Sequence, residues 1–199
     1  MERMAAAPTP LSGSAEGPAN LRDGRPVAIR RLRDDDRPLL EEFLKHLSDR
    51  SLTIRFFAPV PRATALAELV RGTSSTERCA LVMLATFEGR PMIIGHAEYA
   101  RDGIQSPGAE VAFLVADAFQ GHGCATLLLG RLARAARAVG IREFHAAVRM
   151  ENDQMLAVFR DSGYPIEEWW GPDAVKVTFP IAAKYETASL RSESGVSGD

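Results

Sequence analysis

Glu110-Val111-Ala112-Phe113-Leu114-Val115-Ala116-Asp117-Ala118-Phe119-Gln120-Gly121-His122-Gly123-Cys124-Ala125-Thr126 is the stretch on which the reading of the whole chain turns. Its first half is apolar and of strand length. Its second half sets two glycines immediately before a segment of helical period. Leu128, Leu132, Ala135 and Val139 fall on one face of that helix, predicted over residues 123–139, and Gly140 is placed to cap its end. A strand therefore feeds a glycine loop, and the loop feeds a helix. Glycine lets the backbone approach a ligand closely, and the first amides of a helix have no partner within it. Such a terminus attracts phosphate through free donors and partial positive charge. No Gly-Lys-Ser/Thr follows, as a Walker loop requires, and the third glycine of a dinucleotide fingerprint is missing. Two glycines also suit a plain tight turn, so the surrounding pattern has to decide.

Upstream, Val27, Ile29 and Leu32 open an early strand after the Asp23-Gly24 turn. Asp34 to Asp36 and Pro38 mark a helix start, followed by Leu39, Leu40, Phe43, Leu44 and Leu47 at helical spacing. Shorter helices are predicted over 52–57 and 64–70. Residues 79–87 and 92–99 read as two strands joined at Gly89-Arg90-Pro91, and 109–116 as a third. Downstream come a strand at 144–148, a helix at 152–161 stopped by Gly163, and a last strand at 175–181. This order implies an α/β (α+β) fold, a mixed sheet with helices on its faces and not an all-parallel doubly wound one.

The 199 residues suffice for one domain with a real core. Hydrophobic residues make up 46% and charged residues 25%, ordinary globular values. A net charge of −2 provides no field for nucleic acid or an anionic membrane, and no apolar run is long enough to span a bilayer. Cys79 and Cys124 are the two cysteines, without metal-ligand neighbours at usual spacing. Neither a disulfide framework nor a metal site is expected, and a reducing cytoplasm is the natural compartment. Residues 1–20 are rich in Ala, Pro, Ser and Gly, lack a signal-peptide core, and read as a disordered, dispensable tail. The domain is expected over 21–183, with a second flexible tail over 184–199.

The motif around the glycines resembles that of the GNAT acetyltransferase superfamily. The family signature, Arg/Gln-x-x-Gly-x-Gly/Ala after a strand, is met by Gln120, Gly123 and Ala125. The resemblance implies a mostly antiparallel central sheet flanked by helices on both faces, with acetyl-CoA as cosubstrate. It implies that the amides of Gln120, Gly121, His122, Gly123, Cys124, Ala125 and Thr126 hold the CoA pyrophosphate. Phe113, Leu114 and Val115 would pair with the pantetheine arm through main-chain groups. Residues 151–164, from Glu151 to Tyr164, look like the family's later Asn-containing helix. Three further stretches, 23–36, 47–57 and 109–115, look like the catalytic domain of bacterial protein lysine acetyltransferases that modify acyl-CoA synthetases. Some of those enzymes carry a further nucleotide-sensing or synthetase-like domain, for which 199 residues leave no room.

Amide formation from a thioester needs a neutral amine, and at pH 7 deprotonating a lysine costs roughly 4–5 kcal/mol. A positioned base removes much of that difficulty. Glu110 is the candidate: it shares a strand face with Ala112 and Leu114, where partly apolar surroundings would favour proton uptake, and the family has a glutamate base in its Ala-Glu-Val/Ile motif. Glu98, on the preceding strand, is the reserve, although alone it reads as a surface carboxylate. The family's oxyanion donor is a strand amide, here Leu114 or a neighbour. Its tyrosine acid, seven residues after the asparagine, falls on Phe159, which has no proton to give; Tyr164 is a weak substitute and reads as core.

Asn152 suits both a helix cap and a contact to pantetheine or acceptor. The His122 ring is placed either near the phosphates or simply in solvent. Cys124 reads as a small helix-start residue, since direct transfer needs no acyl-enzyme. Arg131, Arg134 and Arg137 recur every third residue and read as a solvated helix face. Trp169-Trp170 reads as aromatic core. The expected function is N-acetyl transfer to a protein lysine, for instance on an acyl-CoA synthetase. Transfer to a small amine, or CoA binding without catalysis, remain the alternatives.

Overall fold

The structure, a computed structural model, describes residues 15–71 and 77–185. In chain order it contains β1 (Gly17–Asn20), β2 (Pro26–Arg31), a 3-10 turn (Asp34–Asp36), α1 (Arg37–Lys45), α2 (Asp49–Phe56) and α3 (Arg62–Val70). There follow β3 (Arg78–Phe87), β4 (Arg90–Arg101), β5 (Gly108–Val115), α4 (Cys124–Ala138), β6 (Glu143–Arg149), α5 (Asp153–Arg160), β7 (Glu167–Trp170) and β8 (Ala174–Pro180). The strands form one sheet in the order β1-β2-β3-β4-β5-β6-β8-β7. Every neighbouring pair is antiparallel except β5 and β6. Short turns can only reverse the chain, whereas a parallel pair needs a crossover, and α4 supplies it here. The β3–β4 turn is Glu88-Gly89, both at positive φ, so Arg90 and Pro91, expected in the turn, belong to the strand.

The β5–β6 pairing decides where a ligand can sit. It lasts only from Gly108–Glu110 against Glu143–His145, while β4 follows β5 all the way to Val115. Past Glu110 the two parallel strands part, and a gap opens in the sheet. Helices cover both faces, as expected. α4 packs on the face bearing Gly95, where a Cβ would come within 3.0 Å of Leu128, and α5 joins that side through Phe159 against Phe113. On the other face Arg55 of α2 pairs with Glu98 of β4, and α1 packs on β4 and α3. β3 and β4 are apolar on both faces because both are covered. None of the helices among the described residues is long and apolar enough to cross a membrane.

Several expectations are corrected. Residues 17–20, assigned to the disordered tail, form β1 on the edge of β2. Arg131, read as solvated, is buried and donates to the carbonyls of Glu16 at 3.1 Å and Pro18 at 3.0 Å, fastening that strand. Arg137 likewise donates to the Ile181 carbonyl at 2.9 Å. At the other end Tyr185, also assigned to a tail, packs on the core. Residues 1–14 and 186–199 lie outside the described residues. β7 was not anticipated, and its Trp169 and Trp170 are 66% and 58% exposed, not core. A chain shortened to begin at Leu21 loses β1 and leaves Arg131 without those acceptors. Its stability is expected to fall by about 2–3 kcal/mol, lowering Tm by roughly 5–10 °C. Thermal denaturation checks this, and an unchanged Tm would show that β1 contributes nothing.

His96, on β4 opposite Leu114, is fully buried; neither ring nitrogen makes a hydrogen bond of good geometry among the described residues, and a main-chain group of Leu69 interacts with the ring only weakly. Burial, aided by the nearby Arg55 charge, pushes its pKa down to about 3 from 6.5. A depressed folded pKa favours the neutral form, so the stability it contributes is complete above about pH 6.5 and is lost as pH falls towards about 3. Between neutral pH and about pH 4.5 the loss comes to roughly 2–3 kcal/mol. His96→Leu is expected to lose that much less stability over the same interval. Urea midpoints at the two pH values test it, and parallel losses in both proteins would refute it.

Candidate active site

From the end of β5 the chain makes one 3-10 turn, Asp117–Phe119, and reaches Gln120-Gly121-His122-Gly123 before α4 begins. Gly121 and Gly123 have φ of +79° and +89°, a region that a side chain resists. The positive φ at Gly123 turns the chain directly into α4, and no side chain caps that start. The first-turn amides are left for an acceptor from outside. Asp117 fixes the loop to α2: it accepts from the Ser48 amide at 3.1 Å and the Ser51 hydroxyl at 2.7 Å. Gln120 braces it further, its carboxamide donating to the Val115 carbonyl and to Ser51 Oγ, each at 3.2 Å. The Gln120 side chain therefore holds the loop, and its role toward a ligand falls to the main chain.

A cavity of about 610 Å³ begins at this loop and runs into the gap between β5 and β6. Of the predicted residues, Phe113, Leu114, Val115, Gln120, Gly121, Gly123, Cys124, Ala125, Thr126, Asn152 and Phe159 all line it. His122 does not; its Nδ1 lies 2.8 Å from the Gln120 carbonyl and its Nε2 3.7 Å from Asp23. Main-chain direction alternates along a strand. Because the Ala116 amide donates to Ile94 of β4, the Leu114 amide also turns to β4, and those of Phe113 and Val115 face the gap. Phe113 or Val115, and not Leu114, is thus the main-chain donor available there. Asn152 caps α5, its side chain accepting from the Met155 amide at 3.2 Å. Phe159 is buried between Phe113 and Phe179, and Tyr164 stacks on Phe179 in the core. Burial pushes the Cys124 thiol up to about 11, which keeps it protonated and a poor nucleophile.

Glu110 is exposed and does not line the cavity. The apolar surroundings expected for it are absent, because the face of β5 it shares with Ala112 is left uncovered at that end. Ala112 does line the cavity, about 7 Å along the strand from Glu110. Glu98, cross-strand from Ala112 on the same face, is the more shielded carboxylate of the two. Its side chain is 13% exposed and paired with Arg55, 16% exposed, whose guanidinium lies over the Phe56 ring at 4.9 Å. Burial raises the Glu98 pKa and the Arg55 charge opposes the rise. Arg55 lines the cavity and was missed in the sequence, although it stands inside the stretch 47–57 already singled out. The site thus offers unpaired amides for an anion, a slot with free main-chain groups, and two carboxylates beyond it.

Comparison with known proteins agrees. The model of the acetyltransferase (GNAT) family matches residues 29–164. The acetyltransferase PA5475 of Pseudomonas aeruginosa is 30% identical over 137 residues, 68% of this chain and 73% of that protein. The GNAT domain of S. lividans PAT superposes with a TM-score of 0.73 at 36% identity, over 83% of this chain and 97% of that domain. A mutant of a cAMP-binding acyltransferase from Mycobacterium smegmatis superposes with a TM-score of 0.58 at 25% identity, over 84% of this chain; the chain spans about half of that protein, 48%. On the motif, the fold and a match across most of the described residues, the chain belongs to the GNAT family of acetyltransferases.

Proposed function

We propose that this acetyltransferase moves the acetyl group of acetyl-CoA directly to a protein lysine, with Glu110 as general base. The observation that carries the reading is the uncapped start of α4 opening into the β5–β6 gap. The amides from Gly121 to Thr126 receive the pyrophosphate, and Phe113 and Val115 present main-chain groups to the pantetheine arm. The lysine nitrogen gives its proton to Glu110 and attacks the thioester carbonyl; the C–N bond forms and the oxyanion meets a β5 amide. Collapse breaks the C–S bond; the nitrogen, still carrying its second ammonium proton, gives that proton to the departing thiolate through solvent, because Phe159 has none to offer. A protein acceptor is supported by the three stretches that look like protein lysine acetyltransferases and by the superposition on the PAT domain. An acyl-CoA synthetase is the first acceptor to try, and the reducing cytoplasm the proposed setting.

Incubation with labelled acetyl-CoA and a panel of proteins and small amines, read by mass spectrometry, tests the reading. Label on lysine Nε of a protein is expected. Label confined to small amines would replace the acceptor class, and tight CoA binding without any turnover would leave a binding module.

A further inference from the structure

Leu21–Arg25, the turn joining β1 to β2, precedes the span matched by the family model and yet places Arg22 in the lining of the cavity. Leu21 is buried, and the turn is closed by Leu21 N–H to the Arg25 carbonyl and Gly24 N–H to the Leu21 carbonyl, both 2.9 Å. The Arg22 amide donates to the His122 carbonyl at 3.1 Å, tying the turn to the glycine loop. The Arg22 side chain then runs along Gly123: its Cγ lies 3.0 Å, and its Cδ and Nε 3.4 Å, from where a Cβ on Gly123 would stand. The other charges of the turn are spent on one another. Asp23 accepts from Arg25 at 2.7 Å, and the Arg25 guanidinium lies over Phe119 at 4.7 Å. Arg22 lines the cavity beside Gly121 and Gly123 and has no carboxylate partner among the described residues.

An unpaired guanidinium held by its own main chain beside an uncapped helix start suits a phosphate, which it can meet with two parallel N–H donors. We propose that Arg22 binds the pyrophosphate of CoA, so that the N-terminal hairpin completes the cofactor site. This rests on the CoA reading above. Arg131, by fastening β1, holds the hairpin in place for that contact.

Calorimetric titration of the full chain with CoA and with dephospho-CoA, at low and high salt, tests the proposal. Arg22→Gln is expected to weaken both ligands about tenfold at low salt and to make binding less salt-dependent, while Arg22→Lys stays within about threefold of the native protein. Native affinity in Arg22→Gln overturns the proposal, as does a loss confined to CoA, which would move the contact to the 3′-phosphate. Failure of the unaltered protein to bind CoA would instead remove the cofactor reading, and the proposal with it.

Discussion

Gly123→Val is expected to bind CoA at least tenfold more weakly than the native protein, a loss of about 1.4 kcal/mol or more. Two independent features of the site lead there. The φ of +89° at Gly123 is a conformation that a β-branched residue does not hold, so the chain must rotate and swing the first amides of α4 out of line. A side chain in the present conformation would also press into Arg22 at 3.0 Å. Gly121 separates the two effects. Its φ is +79°, but nothing lies within 4 Å of its missing side chain. Gly121→Glu therefore meets no steric obstacle, and weakens binding through backbone strain and a negative charge at the phosphate position. Calorimetry on both variants, with circular dichroism and Tm as controls for folding, reads the result. A folded Gly123→Val that binds CoA with native affinity would remove the phosphate from this loop.

The parts of this protein legible in its sequence are those fixed by local pattern. The amphipathic period of α4, the apolar runs of β3 to β5 and the glycine loop are each contained in fewer than twenty residues, and these position the cavity. Features that depend on distant partners were misread. Arg131 looked like surface because its acceptors, the Glu16 and Pro18 carbonyls, lie more than a hundred residues away. β1 holds little to bury beyond Ala19, so composition could not reveal a strand made by main-chain bonds to β2. β7 reads Glu-Glu-Trp-Trp, without apolar alternation, because it is a short edge strand. The two carboxylates were read the wrong way round for burial. Glu98 is shielded by Arg55, 43 residues before it, whereas Glu110 stands at an uncovered end of its strand.

That reversal shapes the second large effect. Glu110→Gln is expected to lower turnover by about 10²–10⁴, the usual worth of a general base, while CoA affinity stays native. The carboxamide keeps the shape of the side chain and removes only its capacity to take the proton. Because Glu110 is exposed and lines no part of the cavity, neither the cradle nor the core should respond, and Tm should not move. Glu98→Gln makes the contrast. It strands Arg55, a nearly buried cation, and removing one member of such a pair costs about 3–5 kcal/mol. Its damage should therefore appear first as a lowered Tm. Rates of acetyl transfer, CoA titration and thermal denaturation on the two variants together locate the base. In the native protein the rate should also climb with pH as the acceptor amine loses its proton. If Glu110→Gln keeps near-native turnover at neutral pH, Glu110 is not the base. If Glu98→Gln then remains folded, binds CoA and loses turnover, the shielded carboxylate beside Arg55 takes that role.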